Sequence, residues 1–167
     1  MLTSLGLRAT PLTIRTPNHV ATYLILHFLL AYVVLSSRLL KMHHKLDHQV
    51  SPRYDLATYG EAAVKSGKIT QAQLDRMKRV ESAHANSVEH YPVFVAAMLL
   101  ATFAGVQGEI VNRVGLAYTV IRVVYAAVYI GAGTDKSASV RGPVWWVGNG
   151  VCIWLLWRAG KELNHGL

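Results

Sequence analysis

Two stretches place charged side chains among apolar neighbours. One is Asn86-x-x-Glu89, which leads into the apolar run from Tyr91 to Val106. The other is Arg122-x-x-Tyr125-x-x-x-Tyr129, deep in a second apolar run. A carboxylate or guanidinium at membrane depth is costly and almost always faces a bundle interior or a wet cavity. Ser82, Asn86, Glu89 and Val93 follow i, i+4, i+7, i+11 and form one helical stripe. Arg122, Tyr125 and Tyr129 fall at i, i+3, i+7 and share a face. Arg122 needs a carboxylate or a ligand, and Glu89 is the expected partner. The plainer role for such a pair is to fix helix register. The functional role is to line a hollow that holds a charged molecule.

The elements that position these residues can be read from the same apolar runs. Tyr91–Val106 is shorter than the roughly 20 helical residues a bilayer requires. The helix must therefore draw Glu89, Asn86 and His84 toward the interface. The pattern predicts an all-α chain with a tail at 1–16 and one four-helix membrane domain at 17–163. Its spans are predicted at about 19–41, 71–104, 110–130 and 143–158. His27 lies inside the first span and reads as a hydrogen-bonded histidine facing another helix. Residues 42–70 read as a polar connection with a turn at Ser51–Tyr54 and a short amphipathic piece ending at Ser66-Gly67. Thr70-x-x-Gln73 has capping-box spacing and should open the second helix. Pro92 removes one backbone hydrogen bond and should kink that helix beside the polar stripe.

The chain has 167 residues, 52% of them hydrophobic, which is apolar for a soluble domain and suits a small polytopic membrane protein. Its net charge is +8. The basic residues flank apolar spans, which favours anionic headgroups and acidic small molecules over nucleic acid. Arg38, Lys41, Lys45, Arg53, Lys65, Lys68, Arg76, Lys78, Arg79, Lys136 and Arg141 fall on one side of the predicted topology. Arg8, Arg15, Arg113, Arg158 and Lys161 fall on the other. The positive-inside rule puts the richer side in the cytosol. His44 and His48 are four apart, but no third clustered ligand joins them, so a wet basic segment is the reading rather than a metal site. The lone Cys152 lies in an apolar run and reads as a small hydrophobe.

Three motifs carry a resemblance. Ala83-His84-x-Asn86-x-x-Glu89-x-x-Pro92-x-Phe94 resembles helix 2 of the membrane-associated proteins in eicosanoid and glutathione metabolism, the MAPEG family. Arg122-x-x-Tyr125-x-x-x-Tyr129 resembles their helix 3, and Val140-Arg141-Gly142-Pro143-Val144-Trp145 resembles the start of their helix 4. The motifs occur in family order. The resemblance implies an up-down four-helix bundle assembled as a homotrimer in the endoplasmic reticulum or another internal membrane. It implies glutathione as co-substrate, bound between neighbouring subunits on the cytosolic side, without a metal. Asn86 and Glu89 would hold its backbone, with Arg122, Tyr125 and Tyr129 completing the pocket. Arg38 would reach a carboxylate, and His84 and Arg79 would join the binding set. Arg141 would face the thiol, with Tyr129 beside it. The implied activity is a glutathione transferase or peroxidase acting on a lipophilic electrophile. The alternative is a lipid-binding scaffold without chemistry. The chain departs from the family pattern at Ser82, where many catalytic members have arginine, and in a longer Tyr129–Arg141 spacing.

Overall fold

The computed structural model describes residues 6, 7 and 16–165. Among these, every regular element is helical. Helix α1 covers Val20–Leu29 and runs into a π-helical turn over Leu30–Val34. Helix α2 covers Arg38–His43, and α3 covers Asp55–Lys65. Three long helices follow: α4 over Gln71–Phe103, α5 over Gly108–Gly131 and α7 over Arg141–His165. A single turn, α6 over Asp135–Ala138, bridges the last two.

Local chemistry explains several of these bounds. Thr70 accepts from Gln73 N while the Gln73 side chain accepts from Thr70 N, the reciprocal cap that the Thr-x-x-Gln spacing predicts. Thr134 and Ser137 form the same device at α6, inside a stretch whose glycines and serines suggest only a loop. The first span is not one continuous helix. Leu35 N bonds to Leu30 O, and the His84 imidazole takes the Ala31 carbonyl at 2.7 Å. A side chain inserted into the backbone ladder is a recognised cause of such an irregularity. Pro92 is accommodated inside α4 on its exposed side.

The contacts define an alternating bundle. Near one end, Asn112 at the start of α5 accepts from His19 N, and Val20, Ala101, Val106, Val111 and Ala159 pack together. At the other end Arg79 near the start of α4 reaches Ile130 at the end of α5, and Arg141 at the start of α7 reaches Tyr129. Phe94 and Tyr118 stack in the middle, their ring centres 4.1 Å apart. Val20–His43 and Gly108–Gly131 are long and apolar enough to cross a bilayer. In α4 and α7 the apolar sequence is interrupted by Asn86, Glu89, His90 and Asn149. The outward faces of α1, the π-helical turn after it and α5 remain apolar, with Ile25, Phe28, Val33, Val120 and Val123 exposed. The molecule is an all-α membrane bundle.

Two expectations change here. The segment 42–70 is more than a polar connection. Leu46, Leu56, Ala63 and Ile69 close a second small core against Leu74 and Met77 of α4. The tail is also not uniformly loose. Gly6 is buried with φ +63°, and its carbonyl accepts from Asn112 Nδ2, while Leu7 O accepts from Arg113 Nε. Residues 1–5 and 8–15 lie outside the described residues.

Close approach of α1 to α5 depends on Gly115. A Cβ there would lie 2.5 Å from the Tyr23 ring. Gly115→Ala is therefore expected to push the two helices apart and cost about 1–3 kcal/mol, read as a lower unfolding temperature in detergent. An unchanged midpoint would mean that Tyr23 swings aside freely.

Candidate functional site

The end of the bundle that carries most of the cations holds two clefts, one on either side of α4. The first opens between α4, α5 and α7. Asn86, Tyr125, Tyr129, Arg141, Gly142 and Trp145 line a hollow of about 270 Å³. The longer spacing between Tyr129 and Arg141 is absorbed by the α6 turn. That turn brings the Arg141 guanidinium over the Tyr129 ring, 4.2 Å from its centre. Arg141 Nη2 donates to Tyr129 O at 3.3 Å and to Ala132 O at 3.0 Å. Its buried Nε has no protein partner. Both carbonyls belong to the C-terminal end of α5, where the backbone has unpaired acceptors and partial negative charge.

Arg122 lies behind this cleft and is 3% exposed. The sequence pairs it with Glu89, and the structure does not. Arg122 Nη2 donates to Ser87 Oγ at 2.9 Å and to Asn86 O at 3.3 Å, and the guanidinium sits 4.7 Å from the Tyr125 ring centre. Glu89 points elsewhere because Ser87, not Glu89, occupies the face of α4 turned toward α5. Glu89 is exposed and sits on the second cleft. No ion pair joins Arg122 or Arg141 to a carboxylate among the described residues.

The second cleft opens between the Ser36-Ser37 turn, α2, Pro52-Arg53 and α4, with a volume of about 460 Å³. Arg38, His84 and Glu89 line it together with Lys41, Arg53 and Glu81. Arg38 is already engaged by Gln49 at 2.9 Å and Asp47 at 3.4 Å. Arg79 lines neither cleft, since its Nε donates to Ile130 O at 2.9 Å. It therefore caps α5. Ser82 itself bonds back to Lys78 O.

Within one chain the nine residues singled out from the sequence thus fall into four groups. Asn86, Tyr125, Tyr129 and Arg141 share a cleft. Arg122 supports it from behind. Arg38, His84 and Glu89 share the cleft across α4, and Arg79 joins neither. Sequence reasoning missed Ser87 and Trp145. Ser87 had a signal, because it falls four residues after Ala83 on the inward face of α4. Trp145 stands in the helix 4 motif, but nothing in its spacing marks it as cleft lining.

An alternating α-helical membrane bundle with a cation-rich cleft at one end is the class of protein that emerges. The sequence matches the MAPEG family over residues 19–161, most of the chain. The chain belongs to the MAPEG family, which includes glutathione transferases and non-enzymatic members. No curated protein and no solved structure matches it.

Proposed function

We propose that the protein is a membrane glutathione transferase that ionises the glutathione thiol beside Arg141 and conjugates it to a lipophilic electrophile. One observation carries the reading. Two guanidiniums, Arg122 and Arg141, stand at one cleft with only carbonyl, hydroxyl and ring partners. Arg122 is buried and Arg141 half-buried, and a cation withdrawn from water without a carboxylate carries a desolvation cost that an anionic ligand offsets. Glutathione supplies two carboxylates and, once ionised, a thiolate.

The chemistry is simple for this chain. The thiol proton leaves to water, the sulfur pair attacks the electrophilic carbon, and the leaving group departs with its own electrons. Arg141 lowers the charge cost of the thiolate, with the Tyr129 ring holding the guanidinium in place. With a lipid hydroperoxide, two glutathiones would instead be oxidised to the disulfide while the peroxide is reduced to alcohol and water.

The two clefts flank α4, and in this reading one tripeptide spans both residue sets where a neighbouring copy supplies one of them. The reading therefore includes a homotrimer, with Arg38, His84 and Glu89 of one copy facing Asn86 and Arg141 of the next. It places the clefts toward the cytosol in an internal membrane, with the electrophile entering from lipid. Ser82, where many catalytic members have arginine, favours a second reading, a lipid-binding scaffold without turnover.

The deciding measurement is conjugation of a chlorodinitrobenzene by the detergent-purified protein with glutathione. Thioether formation above the uncatalysed rate upholds the transferase. Glutathione that raises the unfolding temperature without any product favours the scaffold. Arg122→Met gives a further check. It removes an uncompensated charge while nearly keeping volume, so unliganded stability should hold or rise. Glutathione affinity should fall about tenfold or more through the lost field. Equal affinity in both proteins would detach Arg122 from the site.

A further inference from the structure

Behind the cleft, three helices meet on one imidazole. His90 of α4 is 4% exposed. Its Nε2 lies 3.0 Å from Asn149 Oδ1 on α7, and its Nδ1 lies 2.8 Å from the Tyr118 hydroxyl on α5. The neighbours fix where the hydrogens go. Asn149 Nδ2 donates to Trp145 O at 3.0 Å, which turns Oδ1 toward His90. That oxygen can only accept, so Nε2 carries the hydrogen of the neutral ring. Nδ1 is then bare, and the Tyr118 hydroxyl donates to it.

Each partner stands close along its own helix to a cleft residue. Asn86 is one turn before His90, Arg122 is one turn after Tyr118, and Arg141 is two turns before Asn149. Arg122 and Tyr118 also border the same internal void of about 10 Å³, together with Ser87 and His27. The junction therefore couples the rotation and height of all three helices that build the cleft. Shape packing alone allows sliding, whereas a donor–acceptor pair on each side of a buried ring fixes one register.

We propose that His90 is a positioning residue for the cleft. It sets Arg122 and Tyr125 of α5 through Tyr118, and it sets Arg141 of α7 through Asn149. The inference rests on the glutathione reading of the cleft. It predicts a split that general loosening does not produce. Tyr118→Phe should raise KM for glutathione about fivefold, because it frees the helix that carries Arg122 and Tyr125, and should lower kcat less than Asn149→Leu does, because Arg141 keeps its own bonds to the Tyr129 and Ala132 carbonyls. Asn149→Leu should lower kcat about fivefold with little change in KM, because it frees the helix that carries Arg141. His90→Leu should do both. His90→Gln should recover much of the loss, since its amide offers one donor and one acceptor.

Equal effects of Tyr118→Phe and Asn149→Leu on both constants, or no rescue by glutamine, would overturn the proposal. If the unsubstituted protein forms no thioether, the glutathione reading fails first. The junction is then still decided by unfolding of the His90→Leu, Tyr118→Phe and doubly substituted proteins. Non-additive losses uphold a coupled pin, and additive ones remove it.

Discussion

Arg141→Ala is expected to cut glutathione conjugation about 25-fold at pH 7 while glutathione still binds. The figure follows from thiol ionisation. A free thiol has a pKa near 8.5, so about 3% is thiolate at pH 7. A guanidinium that lowers this value by two units raises the thiolate to about three quarters. The pH dependence has a definite sign. The intact site should gain little rate above about pH 7.5, because its thiol is already ionised. The alanine variant should gain rate as pH rises through about 8.5, where the thiol ionises unaided. The measurement is kcat against pH with a chlorodinitrobenzene. Arg141 also caps α5 through the Tyr129 and Ala132 carbonyls, so the unfolding temperature is needed alongside. Parallel profiles for the two proteins would remove Arg141 from thiol activation.

Lys41→Met is expected to destabilise the segment that precedes α4 by about 3–5 kcal/mol, the usual cost of stripping one partner from a buried pair. Lys41 is 3% exposed. Its Nζ lies 3.6 Å from Asp55 and 3.5 Å from Glu81, and it donates to Pro52 O. Asp55 is 1% exposed and also holds His48 through its ring and backbone N. Removing the lysine leaves the Asp55 carboxylate buried with only an exposed imidazole and one N–H. Removing both charges together, in Lys41→Met with Asp55→Leu, should restore most of the stability. Hydrogen exchange over residues 38–70 would localise the loss. A double substitution no better than the single one would show that the charges do not act as a pair.

These two cases also mark what the chain discloses before it folds. The long helices were legible because apolar runs extend over several turns in each and Thr70 announces a start. The cleft residues on α5 were legible because Tyr125 and Tyr129 are fixed to one face by Arg122's own helix. Pairing between helices was not. Ser87 and Glu89 stand about 160° apart around α4, and which of them meets Arg122 depends on how α4 is turned in the bundle, which no spacing in the sequence fixes. The Lys41–Asp55 pair was hidden for a different reason. It joins two non-periodic stretches, where no spacing rule connects a lysine to an aspartate fourteen positions later. Arg79 and Arg38 were singled out by type, but each is used by its own chain, one on the Ile130 carbonyl and one on Gln49.

The long helices alternate in direction, so Thr16, beside the turn between α4 and α5, and Asn164, just beyond Ala159, lie at the same end of the bundle, remote from Arg141 and Arg38. A fluorophore or epitope attached near either position can therefore be large without obstructing ligand entry. If a bilayer separates the two faces, such a label also sits in the opposite compartment from the clefts. Quenching it from one side of a sealed vesicle would assign sidedness without any catalytic assay.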